Sequence, residues 1–362
     1  MARQARSAPP STASEATVFE RIFGRKSAEP PMNGLVLETS AACQLHCPFC
    51  FLRSYSERPD PAFMPPAVVE AVAPYLSGLE SIDLTGWGEP LLNPDLFPII
   101  DLVRARFSGR LTMTTNGMLL DRSAIDHIVA SGFDTVCVSM DAASAETYRH
   151  ARPGGDWDRL LENLRAFIAA RSSARPLVFG AFLLRAGALE EAPAFVRLCA
   201  GLGLDGAIFQ QLTGVFSAAG LSAACHRDYY QNPFDPVTLA KAMDAATAAA
   251  PPGFTIVLPE EIGDRRVGDC GGFQLTRPFV TASGLVSVCC AMAYPCALMR
   301  RNGKVERTPA VTFGDVRKTA LPEIWSSPAY TRARAEIRSG AVPAACGDCI
   351  ALYMRPSGVV NR

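Results

Sequence analysis

From residue 34 onward, short runs of apolar and β-branched residues alternate with longer stretches in which apolar residues recur every three or four positions. The runs predict strands near 35–40 (LVLETS), 81–86 (SIDLTG), 110–115 (RLTMTT), 135–140 (TVCVSM), 177–184 (LVFGAFLL) and 206–212 (GAIFQQL). The periodic stretches predict helices near 65–77, 94–107, 121–131, 156–171 and 190–202. In the fourth of these, Trp157, Leu160, Leu161, Leu164, Phe167 and Ile168 fall on one stripe. Six βα repeats call for a parallel sheet with right-handed crossovers. Six strands are too few for the closed eight-stranded form, so the expected fold is α/β, a partial (β/α)6 barrel curled around a central site.

Beyond the sixth strand the pattern fades. Residues 214–236 show no clear period and read as a linker or lid; an Ala-rich helix is expected near 237–249, a Pro-Pro break follows at 251–252, and residues 264–352 are dense in cysteine. Residues 1–33 are rich in Pro, Ser, Ala and Glu. The expected organisation is a flexible leader over 1–33, the barrel over 34–212, a linker, lid and helix over 213–262, and a small cysteine-rich α+β domain over 263–362.

Composition narrows the function classes. At 362 residues, with 49% hydrophobic and 19% charged residues, the chain buries a large core and is not disordered as a whole. Lys+Arg and Asp+Glu are equal at 35 each, and no basic run marks a nucleic-acid surface. No stretch of about 18 uncharged apolar residues suggests a membrane span, and the N-terminus does not read as a secretion signal. A cytoplasmic location is therefore expected, and there twelve cysteines point to metal rather than disulfides.

Three of those cysteines, Cys43, Cys47 and Cys50, lie in "ETSAACQLHCPFC" directly after the first strand. A structural zinc site wants four ligands and a disulfide wants two. A loop of this kind can instead wrap three thiolates around a [4Fe-4S] cubane, leaving one iron for a small molecule that carries an amine and a carboxylate. A zinc site completed by His46 or a distant cysteine is the alternative.

Cys-x3-Cys-x2-Cys with Phe49 before the last cysteine, opening a βα series, resembles the radical S-adenosylmethionine (SAM) superfamily over roughly residues 34–212. Further motifs follow the later strands. "TGWGEPLLNP" is similar to the family's glycine-glycine-glutamate segment, and the resemblance assigns Gly86, Trp87, Gly88 and Glu89 to the methionine amino group, with Trp87 departing from the usual residue. A glycine pair also lets backbone approach a ligand closely. Asn116 in "TTNG" joins the same cofactor-binding set, Ser139 and Asp141 are implied contacts to the ribose, and Arg185 is an implied partner of the methionine carboxylate. The implied chemistry is reductive cleavage of SAM, with an electron from a flavodoxin- or ferredoxin-type donor, and removal of a substrate hydrogen atom by a 5′-deoxyadenosyl radical.

Cys270, Gly284 with Cys289 five residues on, and "CGDC" from Cys346 to Cys349 resemble the auxiliary-cluster domains called SPASM and its shorter relative Twitch. The absence of further cysteines after Cys349 implies one auxiliary [4Fe-4S] cluster, two in all, with a four-thiolate zinc ribbon as the alternative. Either Cys289 or Cys290 can supply the fourth sulfur. Five cysteines remain; Cys199 reads as a core residue and Cys137 as barrel interior, whereas Cys225, Cys290 and Cys296 are candidate hydrogen-atom donors. The expected substrate is a hydroxylated small molecule of sugar or cyclitol type. The expected outcome is thiol return, which would make the enzyme an epimerase of the kind found in antibiotic biosynthesis; the alternatives are electron transfer to the auxiliary cluster, which would make it a dehydrogenase and hence an oxidoreductase, and peptide modification. Gln210, Gln211, Tyr229, Tyr230 and Arg277 are placed as substrate contacts by location alone.

Overall fold

A computed structural model describes residues 31–53, 59–185, 187–212, 236–262, 270, 273–299, 305–341, 346, 349–355 and 358–361. The leader and most of the expected lid, with Cys225, Tyr229 and Tyr230, lie outside the described residues.

Six parallel strands run in chain order across the sheet: β1 (Gly34–Leu37), β2 (Ser81–Asp83), β3 (Arg110–Thr115), β4 (Thr135–Ser139), β5 (Leu177–Leu184) and β6 (Gly206–Gln211). Each neighbouring pair is parallel, as βα repeats with crossover helices require. The helices are α1 (Pro66–Val72), α2 (Leu96–Arg104), α3 (Arg122–Ala130), α4 (Ala145–Ala151), α5 (Trp157–Ala170) and α6 (Ala192–Gly201). Their apolar stripes cover the outer face of the sheet. In α5, Leu160, Leu164 and Phe167 are buried, and the Asp156 carboxylate caps the first turn by accepting from the Arg159 amide at 3.1 Å. In β4, Val136 and Val138 are buried while Thr135, Cys137 and Ser139 turn to the concave side.

The sheet does not stop at six strands. After α7 (Pro236–Ala248), β7 (Thr255–Val257) pairs with β6; beyond it come β8 (Glu261–Ile262), the single turn α8 (Phe273–Thr276), β9 (Phe279–Val280), β10 (Leu285–Ser287), β11 (Cys296–Met299), β12 (Val305–Thr308), β13 (Thr312–Asp315), α9 (Leu321–Ser326), α10 (Pro328–Ser339), β14 (Met354–Arg355) and β15 (Val359–Asn361). The order β13-β10-β9-β1-β2-β3-β4-β5-β6-β7-β15 makes an eleven-stranded sheet. Because β9 lies parallel to β1, the cysteine-rich part of the chain is hydrogen-bonded to the strand that leads into the first cysteine loop. No helix among the described residues is long and apolar enough to cross a membrane.

Arg277, placed by sequence among the substrate contacts, is at the other end of the barrel. Its side chain lies against Gly34 and Ser81 at the starts of β1 and β2, and half-buried Asp83 acts on it electrostatically. The turn before β9 carries it to the amino ends of the strands, away from the cysteine loop.

Candidate functional site

The carboxyl ends of β2 to β6 and the loop after β1 enclose a cavity of about 370 Å³. Cys43, Cys47 and Cys50 all line it. The Cys47–Cys50 segment closes a turn, with the Cys50 amide donating to the Cys47 carbonyl at 3.1 Å, and the Cys346–Cys349 segment makes the same turn at 2.9 Å. Burial pushes the Cys50 thiol up to about 11, with Cys47 and Cys43 adding to the rise, and the thiols of Cys43 and Cys47 are also raised, burial first. Iron binding at these sulfurs therefore releases protons and stabilises the loop.

Gly86, Trp87, Gly88 and Glu89 line the cavity too. The glycines also have a packing role. A Cβ on Gly86 would stand 2.2 Å from Glu38 Cγ, and one on Gly88 would stand 2.4 Å from the Ala42 carbonyl oxygen. The missing side chains let this loop lie directly on the chain between β1 and Cys43, with the Glu89 amide donating to the Ala42 carbonyl at 2.8 Å. Asn93 secures the far end, its Nδ2 donating to the carbonyls of Thr39 at 2.7 Å and Met64 at 2.9 Å.

Glu89 is buried and accepts from the Asn116 amide at 2.7 Å, the Thr115 hydroxyl at 2.6 Å and the Leu91 amide at 3.2 Å. Burial raises its pKa and these donors oppose the rise. Asn116 pairs its amide with that of Gln44 and places Nδ2 3.7 Å from Cys43 Sγ. Ser139 and Asp141 both reach the cavity. Asp141 has φ of 58°, a left-handed conformation that an aspartate tolerates better than most residues. That turn aims its carboxylate at the Leu183 amide, 2.7 Å away, and at Arg152 Nη2, 2.6 Å away.

Arg152 was not singled out from sequence. Eleven residues and one helix after Asp141, it looks like an ordinary basic residue at a helix end, and only the fold turns it inward. It lines the cavity, sits 4.0 Å from Cys47 Sγ and leaves its buried Nε without a hydrogen-bond partner among the described residues. Burial works against its charge, but Asp141 and Cys47 more than offset this and the net shift is upward, so the guanidinium stays charged. Arg185, expected as partner of the methionine carboxylate, donates to the Asp141 carbonyl and lies over the Phe49 ring, whereas Arg152 is in the cavity lining.

The second cysteine group follows β10. Gly284, at φ of 84°, makes the tight turn between β9 and β10 and delivers Cys289. Burial and the neighbouring sulfurs of Cys290, Cys346, Cys349 and Cys270 raise the Cys289 thiol. Cys290 is raised to about 12 by burial first, with Glu38 and then Cys349 adding to the rise. Cys296 is buried in β11 with its thiol toward the Ala291 carbonyl at 3.7 Å. Neither Cys290 nor Cys296 is in the cavity lining. Cys199 is buried in α6, where burial raises its thiol.

Among the described residues no three Cys, His, Asp or Glu side chains close on a single point as one metal ion would require. A cubane asks for less, since each thiolate takes its own iron. Three thiols on one wall, with the buried donors Arg152 Nε and Trp87 Nε1 lacking partners among the described residues, form a donor set that fits such a cluster and an anionic, aromatic-bearing ligand.

Residues 37–192 match the family described as the radical SAM superfamily, and residues 270–350 match the SPASM iron-sulfur cluster-binding domain. The chain carries a radical SAM domain followed by a SPASM-type cluster-binding domain. Its cofactors are SAM and a [4Fe-4S] cluster, and the second domain indicates auxiliary iron-sulfur binding. A "Probable GTP 3′,8-cyclase" of Thermoplasma volcanium is 28% identical over 184 residues, 51% of this chain and 53% of its own length. A protein of the same description from Saccharolobus islandicus is 30% identical over 148 residues, 40% of this chain and 45% of its own length. The chain thus spans about half the length of the curated relatives it matches. Streptococcus suis SuiB bound to SAM superposes with a TM-score of 0.63 at 17% identity, covering 85% of this chain and 68% of that one. The enzyme anSMEcpe with bound AdoMet and a Cp18Cys peptide gives 0.57 at 16% identity, covering 84% and 82%. At these identities the two structures establish the fold.

Proposed function

We propose that this protein cleaves SAM with one electron from an external donor and removes a hydrogen atom from a carbon of a hydroxylated small molecule. The observation that carries the reading is the single cavity that Cys43, Cys47 and Cys50 share with the Gly86–Glu89 loop and the ends of β3 to β6. Bound here, the cluster and SAM would supply the electron, the sulfonium that breaks and the 5′-deoxyadenosyl radical, and a C-terminal cluster on Cys270, Cys289, Cys346 and Cys349 would accept an electron from the substrate.

The chain's own residues hold and orient. Glu89 and Arg152, an acid and a base, both line the cavity and suit the ammonium and carboxylate of a methionine moiety. Asp141 keeps Arg152 in place, and Ser139 offers a hydroxyl toward a ribose. Gln210, Gln211 and Glu260 provide polar groups at the β6 end of the cavity, where a hydroxylated substrate would be recognised; Gln211 Nε2 already donates to the Glu260 carbonyl at 2.5 Å.

Oxidation of the substrate is the preferred outcome. Neither Cys290 nor Cys296 lines the cavity, and the Cys296 thiol points to the Ala291 carbonyl, which leaves those two thiols poorly placed for hydrogen return. Epimerisation is the second reading and rests on Cys225. The test is anaerobic: protein loaded with iron and sulfide, given dithionite, SAM and a panel of deuterated cyclitols, sugars and GTP, should form 5′-deoxyadenosine carrying deuterium from one of them. GTP is included because the curated relatives are named for it. No 5′-deoxyadenosine at all would overturn the reading, and solvent deuterium retained in the product would replace oxidation with epimerisation.

A further inference from the structure

Two buried polar side chains, Glu38 and Tyr294, take no part in lining the cavity, yet they join its wall to the second cysteine loop. Glu38 follows β1 and is fully buried; Oε1 accepts from the Trp87 amide at 3.2 Å and Oε2 accepts from the Tyr294 hydroxyl. Its own amide donates to the Val280 carbonyl at 2.9 Å, so main chain and side chain are both tied to the C-terminal strands. Tyr294 stands just beyond the short turn Cys290–Met292 that follows Cys289. On the other side, Trp87 stacks on Phe51 with centroids 4.4 Å apart and planes 18° from parallel, and Phe51 adjoins Cys50. Gly86 completes the arrangement, since any Cβ there would collide with the Glu38 side chain.

We infer that Glu38 and Tyr294 are positioning residues forming a rigid strut between the Gly86–Glu89 loop and the Cys289 loop, so that metal occupancy of the C-terminal thiols sets the affinity for SAM. A buried carboxyl shared by the amides of Trp87 and Ala282 and the phenol of Tyr294 has few alternative arrangements, because breaking any of these bonds strands a polar group without water. A Cys289 loop held in place by its ligand therefore holds Tyr294, Glu38 and the Trp87 amide in register. A Cys289 loop without its ligand loosens the cavity wall. By linkage, SAM binding should tighten the C-terminal loop by the same factor.

The proposal rests on SAM binding against the Gly86–Glu89 loop, and the experiment separates the two ideas. Holoprotein loaded anaerobically with iron and sulfide is prepared unmodified, as Tyr294→Phe, as Cys349→Ser and as the double variant. Equilibrium dialysis with labelled SAM gives each dissociation constant, and hydrogen exchange follows the Trp87 amide. Cys349→Ser should weaken SAM binding by about fivefold or more when Tyr294 is present. In the Tyr294→Phe background, already weakened, it should add less than about twofold. Tyr294→Phe alone should speed exchange at Trp87 while iron content stays the same. Effects that multiply independently, or SAM binding indifferent to both changes, would overturn the strut. Should Cys349→Ser fail to fold, Trp87 exchange in Tyr294→Phe decides alone: unchanged protection sinks the inference. Failure of the unmodified holoprotein to bind SAM would instead overturn the functional reading, and the exchange measurement would still judge the strut.

Discussion

Gly88 has its Cα against the backbone of the first cysteine loop, and an added Cβ would meet the Ala42 carbonyl at 2.4 Å and the Ala42 amide nitrogen at 2.6 Å. Neither neighbour is a flexible side chain, so Gly88→Ala is expected to destabilise the chain by about 3 kcal/mol and to lower iron loading at Cys43, Cys47 and Cys50, read from the melting temperature and iron content. Glu38 gives a pH-dependent prediction. Burial pushes its carboxyl from 4.5 up to about 7, against hydrogen bonds from Tyr294, Trp87 and Ala282. Between those pH values the folded chain binds the extra proton, so stability is full below about 4.5 and is lost as pH rises through 7, by up to about 3 kcal/mol. Glu38→Gln does not titrate, and its melting temperature relative to the unmodified protein should therefore rise from pH 5 to pH 8. A constant difference over that range would refute the assignment. At this scale the motif residues were legible in the sequence, but the reason for Gly86 and Gly88 was not, because the groups they accommodate are 48 and 46 positions away.

The βα elements follow from local pattern to within a few residues, since each helix has an apolar stripe and several carry a side-chain cap. Asp156→Ala should remove the cap of α5 and cost about 1 kcal/mol, measured by chemical denaturation, with no change in SAM affinity. Helix α4 escaped the sequence reading. It has seven residues and buries only Tyr148 and Ala151, too little apolar spacing to stand out from a loop. Its Ser144 cap and Glu146 in the first turn were the available signals. Missing α4 also meant missing Arg152, which sits at its carboxyl end and owes its inward direction to that helix.

For the whole molecule, the eleven-stranded sheet joins the parts of the chain that carry two distant cysteine groups, and Cys289 has the thiols of Cys270, Cys346 and Cys349 as neighbours. Cys289→Ala is expected to lose about four irons per chain, one cubane's complement, whereas Cys290→Ala should keep them, as metal analysis of the loaded protein will check. Equal losses would return the fourth ligand to ambiguity. The amino-acid sequence by itself determined the six parallel strands, the cysteine spacings and the family chemistry, because periodicity and motif spacing are properties of neighbouring residues. Only the tertiary structure decided that Arg152 rather than Arg185 faces the cavity, that Cys289 looks toward the other thiols, and that Glu38 meets Tyr294. The last two depend on β9 pairing with β1 across more than two hundred residues, a contact that burial and sheet register select and local pattern does not encode.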